Sequence, residues 1–236
     1  MGCEQDRVKE VDQTTFPIEN EIRLWEKDCE FSNKHFLDVV FELNSKIFLE
    51  GESMSQEKFD NYFVKNFEKR YTKDFFEDDF MKLDHNHLDT LKVKNMLFLL
   101  TLPKKVVTRK NLFFYDKANY MFGYIKDIDN DNKDYIEKDS IGLKNYMNEI
   151  VYISISFLPN LWLRTANSAI KNKKDIISSL EDDKDKICEA LIEKMFSLAG
   201  TDQDKLTLIF LNELFNSVRG FLNSGYIREF ALTLIT

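Results

Sequence analysis

The stretch Asp127-Ile128-Asp129-Asn130-Asp131-Asn132-Lys133-Asp134-Tyr135-Ile136-Glu137-Lys138-Asp139-Ser140 decides how this chain is read. Carboxylates at alternate positions followed by an isolated apolar residue are what an oxygen-lined calcium loop needs, because a hard cation takes six to eight oxygen donors. With Asp129 as loop position 1, Asp131 falls at 3, Asp134 at 6 and Ile136 at 8, while Lys133 takes position 5 and Ser140 position 12. A cation thus replaces one ligand, and a hydroxyl stands where a bidentate carboxylate belongs. Counting from Asp127 instead sets Asp127, Asp129 and Asp131 at 1, 3 and 5, with Glu137 in reach only of a lengthened loop. Asp127, Asp129, Asp131, Asp134 and Glu137 therefore predict one weak calcium site at best. Asp134 at the turn position is expected to take the left-handed backbone that glycine usually supplies.

Outward from this loop, apolar residues recur at helical spacing. Ile22, Trp25 and Cys29 form one such series, and Phe36, Val39, Val40 and Leu43 another. A third runs from Gln56 through Phe59, Phe63 and Phe67; Leu91, Val93, Met96, Leu97, Leu99 and Leu100 make a fourth that stops near Pro103. Asn111 to Ile125 leads into the acidic loop, and Ile141, Leu143 and Met147 continue beyond it. Ile150 to Leu163 is rich in β-branched and aromatic residues, but its length favours a buried helix interrupted at Pro159 over a strand. Ser178 to Lys186 reads as a charged linker, and helical patterns resume over Ile187–Leu198, Leu208–Phe221 and Tyr226–Ile235.

A weak repeat emerges when the helix–loop–helix units are aligned on loop position 8, giving Met54, Leu91, Ile136 and Leu206. Four residues before each loop stand Leu43, Phe80, Ile125 and Met195; just after each stand Phe59, Met96, Ile141 and Leu211. All eight are apolar, so each helix is expected to enter and leave its loop with a buried turn. The chain resembles the EF-hand proteins of the calmodulin and calcineurin-B-like superfamily over about residues 36–100 and 112–220. In that superfamily a short β bridge joins paired loops at position 8. The second loop sets Asp84 at 1, Asn86 at 3 and Asp89 at 6, but Leu88 at 5 and Asn95 at 12, so Asp84 and Asn86 read as vestigial ligands. The first loop, Ile47 to Lys58, and the fourth, Ala199 to Phe210, have no acid at position 1.

The resemblance implies an all-α fold of paired EF-hand-like lobes with an inserted helical segment. The expected divisions are a flexible tail over 1–15, one lobe over 16–105, and a second over 106–236 interrupted at about 157–185. Composition agrees with helices: Gly (7) and Pro (3) are scarce, charged residues reach 31% and hydrophobic residues 43%, of which Phe supplies 21. A net charge of -8 argues against nucleic acid as a partner, since phosphate binding needs clustered cations. Cys3, Cys29 and Cys188 are odd in number and far apart, which predicts neither a disulfide framework nor a zinc site and fits a cytoplasmic setting.

Met1-Gly2-Cys3 opens the chain as in proteins acylated on both residues, although the usual hydroxyl residue at position 6 is Asp6. Gly2 and Cys3 are thus candidate lipidation sites, and membrane contact is expected only if they are acylated. The acidic N-terminus predicts no secretory leader. His85 and His87 alternate in a loop and point to no transition-metal site. No phosphate loop, nucleophile elbow or HExxH motif occurs, so no catalytic residue is expected.

These readings favour a non-enzymatic adaptor or structural protein. It would bind a protein partner, an amphipathic helix or a larger assembly, with no required cofactor and at most weak calcium. A membrane-tethered calcium sensor and a structural subunit of a cytoskeletal or organellar complex are the alternatives.

Overall fold

The computed structural model describes residues 17–27, 34, 36–46, 53–54, 88–101, 105–107, 113–159, 162, 180–199, 204–218 and 220–235. Among them the chain is mostly helical, with three two-stranded antiparallel ribbons between helices. Eight helices are α1 (Pro17–Lys27), α2 (Phe36–Lys46), α3 (Thr90–Leu100), α4 (Asp116–Asp129), α5 (Ile141–Tyr152), α6 (Lys184–Ala199), α7 (Leu208–Ser217) and α8 (Ser224–Ile235). Strands β1 (Ser53–Met54) and β2 (Leu88–Asp89) pair, as do β3 (Lys105–Val107) and β4 (Phe113–Tyr115), and β5 (Tyr135–Glu137) and β6 (Lys205–Thr207).

The part of the fold that positions the acidic loop is a unit of four helices. α4 and α5 pack on each other, α6 lies against α5, and α7 against both α4 and α6. Ribbon β5–β6 ties the two helix pairs together, with Ile136 opposite Leu206 and both side chains buried. The bond from the Lys138 amide to the Asp204 carbonyl, 3.1 Å, extends that ladder. Helices α5 and α7 each start on a capping hydroxyl. Ser140 Oγ accepts from the Leu143 amide at 3.0 Å, and Thr207 Oγ1 from the Phe210 amide at 3.3 Å.

The core under this unit is aromatic. Phe98 of α3 meets Phe36, Tyr146 and Phe215 edge to face and lies tilted against Tyr120. Asn95, which takes position 12 of the second loop where a bidentate carboxylate belongs, is fully buried in α3, where its Oδ1 accepts from the Tyr120 hydroxyl at 2.8 Å. Ile125, Met195, Met96 and Leu211 are buried as their place around the loops predicts. Ile141 is not: it is 69% exposed, because Ser140 delays the start of α5 and leaves its first residue on the outer face.

Several further expectations shift. Leu91 does not face Met54; the register puts Leu88 there, and Leu91 lies in the first turn of α3. Leu88 is therefore a bridge residue and not the fifth position of a loop. The helical reading begun at Asn111 missed the β3–β4 hairpin, whose Phe113–Tyr115 run of aromatics suits a strand as well as a helix. The charged linker over 178–186 gives way to structure, since Leu180 is buried and α6 begins at Lys184. Gly2, Cys3, Asp84, Asn86, His85 and His87 lie outside the described residues, as does the helical series from Gln56 to Phe67.

After Tyr152 the buried run continues as a π-helical turn, Ile153–Phe157, followed by Leu158 and Pro159. The wider turn carries two buried serines. Ser154 Oγ donates to the Ile150 carbonyl at 2.7 Å, and Ser156 Oγ to Glu181 at 2.5 Å. Helix α8 packs on this turn, on α5 and on α6, burying Ile227, Ala231 and Leu232. On α8 in turn lies α1, started by Pro17 in the position where a missing amide hydrogen costs nothing.

An ion cluster joins α1 to α8. Arg228 is 1% exposed; its Nε donates to Glu19 at 2.6 Å and its Nη1 and Nη2 to Glu26, each at 2.9 Å. Nη1 also reaches the Ser154 carbonyl in the π turn at 3.2 Å. Glu19 and Glu26 stand two helical turns apart on α1, which is why one guanidinium meets both. Between them Arg23 bonds Glu19, the Gly225 carbonyl and Glu229 at 2.6, 2.9 and 2.6 Å. Withdrawal from water opposes the charge of Arg228, but Glu19 and Glu26 more than offset it and raise its pKa. No helix among the described residues is long and apolar enough to cross a membrane.

Because removing one member of a buried ion pair leaves the others unpaired, Arg228→Met is expected to lower stability by about 3–5 kcal/mol. Urea denaturation followed by circular dichroism measures it. A loss under about 1 kcal/mol would mean that α1 is not held by this cluster.

Candidate functional site

The acidic turn between α4 and α5 is the place where the sequence concentrates candidate ligands, and the structure distributes them in three directions. Asp127 does not begin a loop. It is an exposed residue in the last turn of α4, which runs to Asp129, so the register counted from Asp127 is excluded by helical backbone. The left-handed residue is Asn130, at φ 50°, and not Asp134. Asn130 directly follows the helix end, where a left-handed cap stops a helix and asparagine tolerates it.

Asp129 turns inward to the start of α5. Its Oδ2 accepts from the Ser140 hydroxyl at 2.5 Å and its Oδ1 from the Gly142 amide at 2.7 Å. The residues counted as loop positions 1 and 12 therefore bond each other directly. In a calcium loop both would face an ion. Here the carboxylate caps the Gly142 amide at the N-terminus of α5, where negative charge is favoured by the helix dipole.

Asp131 and Glu137 are joined by a side chain of the chain itself. Lys133 Nζ lies 2.9 Å from Glu137 and 3.6 Å from Asp131, and the Lys133 amide donates to Asp131 Oδ1 at 3.1 Å. The bond to Glu137 raises the Lys133 pKa, so the ammonium stays charged at neutral pH and occupies these two carboxylates. Asp134 is exposed beside them. No group of three His, Cys, Asp or Glu side chains converges to hold a metal ion among the described residues.

Across the ribbon, a shallow depression is lined by Glu137, Asp139, Asp204 and Lys205. Lys138 Nζ lies 3.9 Å from Asp204 and 2.7 Å from Glu193 nearby, while Lys205 Nζ sits 4.4 Å above the Tyr135 ring. Ion pairs within the chain thus engage Asp131, Glu137, Glu193 and Asp204 at this end.

Gly142 is the residue that sequence reading missed. A Cβ there would lie 2.4 Å from the Ile125 carbonyl oxygen and 3.1 Å from Asp129 Oδ1, so only glycine lets α5 start this close to α4. The available signal was a lone glycine in the first turn of a helical pattern, where its cost against alanine points to a packing reason. Ser140 was visible only as a failed ligand, although serine ahead of an apolar helical run is itself a capping signal.

No protein-family model, curated protein or solved structure matches the chain.

Gly142→Ala is expected to cost about 1–3 kcal/mol, since the added methyl meets backbone and not a flexible side chain. Asp129→Ala is expected to cost about 1.5–3 kcal/mol through the loss of two bonds to a charged acceptor. Thermal unfolding of each variant in excess chelator checks both. If the Asp129→Ala loss appears only when calcium is present, the carboxylate serves an ion and not α5.

Proposed function

We propose that this protein is a non-enzymatic, EF-hand-like adaptor that binds a protein partner without needing calcium. The observation that carries the reading is the self-closed loop. Asp129 is spent on Ser140 and Gly142, and the ammonium of Lys133 lies between Asp131 and Glu137. Two helix pairs meet through a ribbon whose central residues are Ile136 and Leu206, the positions at which EF-hand loops pair, and this supports the EF-hand-like reading. An ion-operated lobe must change the charge of its loops when the ion arrives. A loop whose Asp129, Asp131 and Glu137 already have partners within the chain offers an arriving ion fewer free ligands.

The partner reading rests on what the surface offers. In helix-binding lobes an amphipathic helix lays its apolar face on an apolar surface. Here α8 makes that contact with the π turn, α5 and α6, and is tied down through α1. Apolar side chains left for another protein are those on outer faces, chiefly Phe41 at 75%, Ile141 at 69% and Ile209 at 69% exposure. Two of these, Ile141 and Ile209, stand in the first turns of the helices that leave the β5–β6 ribbon.

Titration calorimetry of the full chain is expected to give no calcium heat at micromolar ion, and an Asp129→Ala/Asp131→Ala variant the same result. Saturable micromolar binding by the wild type that disappears in the variant would replace the adaptor by a calcium sensor. Partners co-purified in chelator and in calcium are expected to be identical by mass spectrometry. An Ile141→Glu/Ile209→Glu variant is expected to lose them by about tenfold or more, roughly the 1.4 kcal/mol that one buried apolar anchor supplies. Recovery that depends on calcium, or that is indifferent to the double substitution, would count against this surface.

A further inference from the structure

Lys117 is an amine sealed into the core. It stands in the first turn of α4, is 1% exposed, and places Nζ 4.9 Å above the Phe98 ring of α3. Its one hydrogen-bond partner among the described residues is the Asn223 side chain, whose Oδ1 accepts at 2.9 Å. Asn223 ends the turn between α7 and α8. Gly220 and Leu222 in that turn both hold left-handed backbone, at φ 72° and 55°. The Asn223 amide donates back to the Gly220 carbonyl at 2.8 Å, and its own carbonyl accepts from Ile227 at 3.0 Å in the first turn of α8. One amine therefore connects α3, α4 and the segment that launches α8.

The groups around it supply little for a positive charge. From α3 it meets an aromatic face, and from the turn a neutral amide. The Phe98 ring is flanked in turn by Tyr120 of α4, Tyr146 of α5, Phe215 of α7 and Phe36 of α2. The phenol of Tyr146 is itself pushed to a higher pKa, first by burial, and so stays uncharged. Among the described residues no carboxylate, histidine or second cation acts on Lys117; withdrawal from water lowers its pKa, and only the Phe98 ring face and the Asn223 oxygen favour the charged form.

We propose that Lys117 is a proton-operated latch for the start of α8: as an uncharged amine it holds Asn223, and on taking up a proton it releases the 220–223 turn. An amine has two N–H donors and a lone pair, so one amide oxygen and one ring face go far to satisfy it. An ammonium has three donors and a charge to solvate. The nearest relief is water, and the turn is the barrier it must open, since left-handed backbone at Leu222 is already costly.

Burial sets the Lys117 pKa well below the ordinary lysine value of 10.5. A lysine shifted downward binds its proton more readily in the unfolded chain. Folding is then favoured most above 10.5 and weakens as the pH falls from 10.5 toward the folded value, below which the loss is complete. For one proton the folding constant changes up to about tenfold per pH unit inside that window.

The test is carbon-detected NMR of the full chain labelled at lysine Cε, with backbone amides followed in parallel from about pH 6 to about pH 11. Lys117, identified by the signal absent from Lys117→Met, is expected to titrate below the other lysines. The amides of Gly220, Asn223 and Ile227 are expected to shift with the same midpoint, and in Lys117→Met that midpoint disappears. Asn223→Ala provides the second arm, removing the acceptor while leaving the amine: Lys117 should still titrate low, with the turn amides no longer following. Lys117 titrating among the other lysines would overturn the latch. So would turn amides that ignore its titration in the wild type, or still follow it in Asn223→Ala.

Discussion

A carboxylate aimed at the start of a helix holds the centre of this molecule. Asp129 ends α4 and bonds the cap and second residue of α5, so the connection between the two helices is fixed by charge-assisted hydrogen bonds. Those bonds bring the two backbones close enough that position 142 accepts no side chain. With α5 pinned on α4, Tyr135–Glu137 projects as a short strand, and it finds its only partner in Lys205–Thr207 among the described residues. The second helix pair, α6 and α7, is positioned through that ribbon and through packing on α5 and α4.

Electrostatics here are used for fastening. The loop end pairs Lys133 with Glu137 and Asp131, and Lys138 with Glu193. These pairs are half-exposed, and each adds little to stability on its own. The cluster of Arg228, Glu19 and Glu26 is different in kind because it is buried, so its members cannot be removed singly without stranding a charge. It ties the first helix described to the last. It also reaches the Ser154 carbonyl, one of the backbone groups of the π turn, so that the widened turn of the buried helix and the docking of α8 support each other.

Local rules carried the sequence reading where the signal was local. The apolar spacing of Leu143, Met147 and Ile150, and of Leu211 and Phe215, follows helix period, and those residues are core. The alternation around Ile136 picked out a buried bridge residue. Spacing failed where several periods fit one short run: Phe113–Tyr115 is a strand, and Leu88, three residues from the expected Leu91, faces Met54. Chemistry failed in a similar way. Acidic residues at alternate positions suit an ion equally well as they suit lysines and helix amides, and the fold at Asp129 chose the amides. Asn95 and Lys117 carried no sequence mark of burial, because polar residues are ordinarily read as surface.

By itself the sequence determined the helical class, the apolar faces and the fact that a lysine and a serine interrupt a would-be ligand set, because these depend on side-chain type and on periods of a few residues. Tertiary structure alone decided that Arg228 meets Glu19 and Glu26 across more than two hundred residues, that Ile136 lies opposite Leu206, and that Lys117 is shut away from water beneath Asn223. Such pairings depend on which surfaces are pressed together when the chain closes on itself. Distance along the chain carries no trace of that, and a buried charge or amine becomes legible only once its neighbours are in place.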